Sequence, residues 1–292
     1  ICSMKQILLL FTALFISCSR LQPAAVTSRE TIIGGVDVIE ANYTVTKDGE
    51  QLPTRLFIMD ITLSDKVTIV ATATDDNNSS IKATVEQQTA IAPISKQLEA
   101  MQSKRHNIKV LGGVNSDFYH IKQSNMICGA MFRGGECLKG EIDGAANVFI
   151  MLKDGTAHCM TAEEYLALDK SLIAEAVSGR QMLLNDGVAQ SSSTRLEPRT
   201  AVGVTRDGRR VFILVADGRR KEYSNGLSYA DMAVRKFFQK IRGEEWFKNT
   251  IFIIWNWLTR SNSAMKKSSG RQVKISWLCF RSMKQSSNGP NY

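Results

Sequence analysis

The last part of this chain contains no acid. After Glu245 there is no aspartate or glutamate, while Lys248, Arg260, Lys266, Lys267, Arg271, Lys274, Arg281 and Lys284 are all basic. Those eight side chains account for all but one of the formal net charge of +9. The preceding residues are therefore almost neutral. This excludes a general basic surface on the body of the protein, and no nucleic-acid partner is expected. Histidine is scarce: His106, His120 and His158 are scattered, and no C-x-x-C pair accompanies them. No zinc-ligand spacing results, so neither metal nor cofactor is expected. There is no G-x-S-x-G elbow, and Ser191-Ser192-Ser193 sits in a polar stretch, which argues against a serine hydrolase. A phosphate-binding glycine loop followed by Lys-Ser/Thr is also missing, which argues against nucleotide hydrolysis.

Long apolar runs are missing too. Ile7 to Ile16 is the main apolar stretch near the start, half of the roughly 20 residues that a spanning helix needs. Preceded by Met4-Lys5 and followed by Ser17-Cys18, it has the form of a signal-peptide core. The small residue before Cys18 marks that cysteine as a lipidation site, so residues 1–18 are expected to be a signal peptide with a lipoprotein cysteine. The product would then be exported to the periplasm or cell surface, with the lipid anchor as its only membrane contact. Residues 19–30 read as a polar linker. Export permits disulfides, and a Cys128–Cys137 bridge would close a small loop, but the sequence does not favour that pairing.

From Glu30 the pattern becomes strand-like. Leu56–Leu63 and Val67–Thr72 are rich in β-branched and aromatic residues, with Ser64-Asp65 and Asp75–Asn78 as turns. Val85 to Lys104 reads as a helix through Ile91, Ile94, Leu98 and Met101. Lys109–Val114 and Val148–Leu152 read as strands, and a short acidic helix is expected near Thr161–Leu168. Strand signals return at Ala174–Val177, Met182–Leu184, Thr200–Thr205 and Val211–Val215, beside the turn dipeptides Asp186-Gly187 and Asp207-Gly208. Ser228 to Ile241 reads as a helix with Ser228 as N-cap and Asp231 at N3. The expected fold class is α/β (α+β): one domain over residues 31–243, with a mixed β-sheet and a few flanking helices.

Three segments end strands with acid, amide or arginine beside glycine: Gly113–Tyr119, Arg199–Arg209 and Val215–Ala233. Taken singly, Asn115, Asp117 and Asp217 read as turn residues. Taken in order with Val177-Ser178-Gly179 and Leu183–Gly187, the set resembles the phosphodiester glycosidase family. The matched pieces are Gly113-Val114-Asn115-Ser116-Asp117-Phe118-Tyr119, the Val177 and Leu183 segments, Arg199-Thr200-Ala201-Val202-Gly203, Asp217-Gly218-Arg219, and Gly226, Ser228, Asp231 and Ala233. The resemblance covers about residues 30 to 240. It implies a hydrolase that removes a sugar from a phosphodiester, as the family's best-known members remove N-acetylglucosamine from a phosphodiester on mannose.

That chemistry wants a carboxylate on the sugar face and charge neutralisation at the departing phosphate. The resemblance therefore makes Asp117, Asp217 and Arg199 the catalytic candidates, with Arg199 at the phosphate. It makes Asn115, Thr200, Gly218, Arg219 and Ser228 substrate-binding candidates, with a carbohydrate phosphodiester as partner. One departure stands out. Where the family closes with a strand, an N-L-D-G-G-G-S turn and a further strand, residues 244–292 form a basic tail containing all four tryptophans. This is the composition that translation in a wrong frame produces. The expectation is an incomplete domain with impaired cleavage. The alternative is a surface lipoprotein that binds carbohydrate without catalysis.

Overall fold

The computed structural model describes residues 24–72, 76–77, 92–117, 127–142, 147–185, 188–190, 193–233, 250–255 and 278–283, the last two as backbone only. The leader with Cys18, the Asp186-Gly187 turn, Phe118-Tyr119, and the expected helical residues 85–91 and 234–241 lie outside the described residues.

The chain enters through β1 (Ala25–Ile33), β2 (Val36–Lys47) and β3 (Glu50–Thr62), then β4 (Val67–Ala71). Helix α1 (Ile94–Lys104) precedes β5 (Ile108–Val114), and β6 (Met131–Arg133), β7 (Glu136–Lys139), β8 (Asn147–Leu152) and β9 (Ala157–Met160) follow. After α2 (Ala162–Ala167) come β10 (Ile173–Gly179), β11 (Met182–Asn185), β12 (Val188–Ala189), β13 (Arg199–Thr205) and β14 (Arg210–Ala216). Last are α3 (Tyr229–Met232), β15 (Thr250–Trp255) and β16 (Leu278–Met283). They form an eight-stranded sheet ordered β1-β2-β3-β14-β13-β15-β11-β12, a five-stranded sheet β7-β6-β10-β8-β9, and a three-stranded sheet β4-β16-β5. This is a single mixed α+β domain, as the sequence implies.

Three differences from the sequence reading have physical causes. The expected linker is strand from Ala25 onward: β1 pairs antiparallel with β2 from Ala25↔Asn42 to Ile33↔Val36. Its outward residues are exposed because it is an edge strand, which hides the alternation of a half-buried one. The expected helix is not continuous through Pro93, whose ring and missing N–H exclude it from a helix interior, and Ile94–Lys104 starts directly after it. The tail supplies strands where none are expected. Thr250–Trp255 runs antiparallel to β13 from Thr205↔Thr250 to Thr200↔Trp255, and Leu278–Met283 fills the space between β4 and β5. Thr250–Trp255 is a run of β-branched and aromatic residues, which suits a pleated and flanked position, whereas Leu278–Met283 has Phe280 alone of that kind.

The largest core lies between the sheets. Met59, Ile61, Val202, Val204, Val211 and Ile213 of the eight-stranded sheet meet Phe149, Met151 and Val177 of the five-stranded sheet and Val67, Ile69 and Val114 of the three-stranded one. The opposite face of the large sheet is buried as well, through Ile39, Leu56, Ile58, Ala201, Phe212, Leu214, Leu227 and Met232. Central strands such as β13 and β14 therefore have no solvent face. Helix α2, started by a Thr161/Glu164 capping box, covers the outside of the five-stranded sheet through Tyr165. Helix α1 covers β4 and β5 through Met101 and Leu98.

Candidate active site

The C-terminal ends of β5 and β10 and the N-terminal end of β13 lie at one end of this sandwich. Thr200 Oγ1 donates to Asn115 Oδ1 at 2.7 Å, joining β13 to the residue after β5. Thr200 is buried, and Asn115 and Asp117 are half-buried. Ser178, buried on β10, donates from Oγ to the Ala130 carbonyl at 3.3 Å. A methyl group added at Gly129 would lie 2.1 Å from Ser178 Oγ and 3.2 Å from Asp117 Oδ2. Asp117 and Ser178 thus converge on a point that only glycine can occupy. Asn115, Asp117, Ser178 and Thr200 form one polar cluster at the rim of the inter-sheet core.

Arg199 is not part of that cluster. Successive residues of a strand point to opposite faces. Thr200 shares its face with Val202 and Val204 of the inter-sheet core, whereas Arg199 shares the outer face with Ala201. There its guanidinium donates to the Leu227 carbonyl, the Tyr229 hydroxyl and the Arg195 carbonyl, each at 3.3 Å. It also stacks 4.2 Å from the centroid of the Tyr229 ring. Burial lowers its pKa, with Tyr229 and Glu197 acting in the other direction. Ser228 caps α3: its hydroxyl accepts from Asp231 N–H at 3.0 Å, and its own N–H donates to Asp231 Oδ2 at 3.1 Å. Tyr43 donates to Asp231 Oδ1 at 3.4 Å, and burial, reinforced by Asp231, pushes the phenol well above its ordinary range.

The turn after β14 holds the remaining candidates. Asp217 accepts from Gly218 N–H at 2.8 Å through Oδ1 and is ion-paired with Arg220 through Oδ2. Arg219 reaches Glu197 Oε2 from Nε and Nη2 at 3.2 and 3.0 Å, and Arg195 meets Glu197 Oε1 at 2.8 Å. Gly218 lies against the chain at Pro198, where a methyl group would come within 2.9 Å of Pro198 N. Gly218, Arg219 and Ser228 thus each hold local structure.

Sequence reasoning did not single out Ser178, Gly129, Glu197 or Tyr229. Ser178 was within reach, since it stands in the Val177-Ser178-Gly179 segment; Gly129 carried no signal. Among the described residues, no group of three or more His, Cys, Asp or Glu is arranged to hold a metal. Cys137 and Cys159 are free thiols.

The chain matches the family model of phosphodiester glycosidases over residues 109–243. This segment is a phosphodiester glycosidase domain. It contains every residue of the polar cluster, and the family it represents acts on glycosyl phosphodiesters. Among solved structures, the chain is similar to the zebrafish N-acetylglucosamine-1-phosphodiester α-N-acetylglucosaminidase catalytic domain auto-inhibited by its pro-peptide, with a TM-score of 0.55 at 12% identity over 90% of this chain and 88% of that one. At that identity the likeness is one of fold. A hypothetical protein from Synechocystis aligns with a TM-score of 0.49 and 9% identity, covering 89% of this chain and 64% of its own. No curated protein matches the chain. In the glycosidase domain the buried end of the sandwich is where hydroxyl, amide and carboxylate groups meet, while the Arg199 guanidinium lies on the far side of the same sheet.

Proposed function

We propose that the chain hydrolyses a sugar 1-phosphodiester at the anomeric carbon, with N-acetylglucosamine 1-phosphodiesters as the substrate class. The observation that carries this reading is the convergence of Asn115, Asp117, Ser178 and Thr200 at one end of the strands within the glycosidase domain. Asp117 supplies the carboxylate that stabilises positive charge growing on the sugar as the bond from the anomeric carbon to the phosphate oxygen breaks. A water oxygen forms the new bond to that carbon and gives up its surplus proton to solvent, and the phosphate monoester leaves as an anion that needs little protonation. Asn115 and Thr200, fixed against each other, orient sugar hydroxyls. Asp217 supports the turn that frames the site, because its two oxygens are engaged by Gly218 N–H and Arg220. Arg199 acts indirectly, by holding Leu227 and Tyr229.

The test is cleavage of a sugar 1-phosphodiester by the purified chain and by Asp117→Asn. The substitution should abolish turnover and leave sugar binding intact; undiminished turnover would remove Asp117 from the reaction. The chain is further proposed to be exported, lipidated at Cys18, and slower than complete members of the family. Slower cleavage is argued from the missing D-G-G-G-S turn; β15 and β16 occupy the strand positions that the tail was expected to leave open. Labelling with a radioactive fatty acid that survives Cys18→Ser would overturn the anchor. Reading the encoding DNA in all three frames from the codon of Ile241 tests the tail: another frame that yields the glycine turn marks it as displaced. A second reading, carbohydrate binding without cleavage, draws on the absence of any acid after Glu245. Tight glycan binding without turnover, persisting after a D-G-G-G-S turn is restored, selects it.

A further inference from the structure

Arg199 faces away from the polar cluster, so the phosphate of a bound diester needs another cation. The large sheet offers one along the same rim. β14 pairs with β3 up to Ala216↔Leu56, and Asp217 N–H continues the ladder to the Arg55 carbonyl at 3.0 Å. Leu56 belongs to the outer core, so alternation turns Arg55 to the opposite face, the one that carries Val215 and Thr200. The Arg55 guanidinium lies 4.6 Å from the centroid of the Tyr223 ring, and Arg220 lies 4.1 Å from the same centroid. Three neighbouring strands thus present, in order, Asn115–Thr200 on β13, Asp217–Arg220 after β14, and Arg55 with Tyr223 beside β3. Two strand spacings amount to about 10 Å, the reach of a sugar ring with its phosphate.

The charges in this row do not balance. Asp217 neutralises Arg220, and Lys221 is paired with Glu50 at 3.0 Å. Arg219 and Arg195 share Glu197. Among the described residues no carboxylate lies within ion-pair distance of Arg55, although it shares an aromatic ring with a second guanidinium. An anion with one negative charge at this point compensates Arg55, and a phosphodiester carries one. Guanidinium groups suit phosphate oxygens because their N–H donors match them two at a time, and the flat ring keeps both forks presented.

We propose that Arg55 and Arg220, held on the Tyr223 ring, bind the phosphodiester of the substrate while the sugar occupies the Asn115–Asp117–Thr200 cluster. This assignment rests on the sugar-phosphodiester reading above. It is tested by calorimetric titration of the full chain carrying Asp117→Asn, so that ligand is not consumed, with two probes: the methyl diester of N-acetylglucosamine 1-phosphate and the neutral methyl glycoside of the same sugar. The diester should bind more tightly than the glycoside. Arg55→Gln should weaken diester binding about tenfold or more, the effect of losing a charged hydrogen bond, and leave glycoside binding unchanged. Arg55→Lys should recover only part of the loss, because an ammonium cannot make the paired contact. Arg29→Gln removes an equal charge from the edge strand β1, where Arg29 faces Asp37, and should change neither affinity. Diester binding that survives both Arg55→Gln and Arg220→Gln overturns the assignment and leaves the family reading standing. Glycoside and diester binding lost together in a variant with unchanged thermal unfolding also overturns it, because Arg55 would then serve the sugar. Binding of neither probe by the parent overturns the sugar-phosphodiester reading and this assignment with it.

Discussion

Gly226 separates two effects of a single methyl group. Its φ is +88°, close to the +82° of Gly49 in the β2–β3 hairpin turn. Alanine at either position pays similar backbone strain, about 1–2 kcal/mol, partly offset by about 0.4–1 kcal/mol from a less flexible unfolded chain. The space around the two glycines differs. At Gly49 an added methyl meets nothing within 4 Å, whereas at Gly226 it falls 2.3 Å from both the carbonyl carbon and oxygen of Glu197. These are backbone atoms, so no rotamer change relieves the overlap. The chain must open the bridge in which Glu197 N–H donates to Leu227 O at 3.2 Å and Leu227 N–H donates to Glu197 O at 2.9 Å. Two such bonds are worth about 1 kcal/mol each, and the Glu197 clamp loosens with them. Gly49→Ala should therefore cost about 1 kcal/mol or less, and Gly226→Ala about 3 kcal/mol or more. Urea unfolding of both variants against the parent reads the difference directly, with unchanged m-values as the check that the unfolded state is the same. Equal midpoints for the two variants would refute the reasoning, because the overlap would then be relieved at no cost.

Four further outcomes follow from the geometry. Thr200→Val leaves Asn115 without its 2.7 Å donor and should lower turnover of a sugar 1-phosphodiester by an order of magnitude or more while costing about 1 kcal/mol of stability; unchanged turnover removes this pair from the site. Asp60 is 2% exposed and holds Arg210 by two bonds of 2.8 and 3.0 Å; because Arg210 is partly in water, Asp60→Ala should cost about 1–3 kcal/mol rather than the full figure for a buried pair, as urea unfolding will show. Burial lowers the pKa of His158, with Asp154 opposing, so its folded value lies below the unfolded value of about 6.5. The neutral ring thus stabilises the fold above that pH, and the contribution is lost as pH falls through 6.5 toward the folded value; thermal unfolding between pH 7 and 5 should show the decline, and His158→Gln should flatten it. Cys159 is buried and burial pushes its thiol pKa far up, whereas Cys137 is exposed, so a thiol reagent should label Cys137 in the native protein and Cys159 only in denaturant.

Much of the scaffold was legible along the chain. The β-branched runs of β3, β13 and β14, the cap at Ser228, and the ordered motifs at Asn115, Ser178, Arg199 and Asp217 follow from local chemistry, which neighbours in sequence decide. Which way the functional side chains face was not legible. In β13 both faces are apolar and buried, so Ala201 and Val202 carry no inside or outside signal, and nothing local tells that Thr200 joins Asn115 while Arg199 joins Tyr229. Only the packing of three sheets decides it. The same holds for Arg55 and Arg220, which meet on Tyr223 from distant parts of the chain because β3 lies beside β14. The sequence by itself determined the central strands, the family resemblance and the stock of reactive groups, since these depend on neighbouring residues, but not the edge strand β1 or the tail strands β15 and β16. The tertiary structure decided which groups share a site, because strand order and burial on both faces arise only when the sheets close on one another.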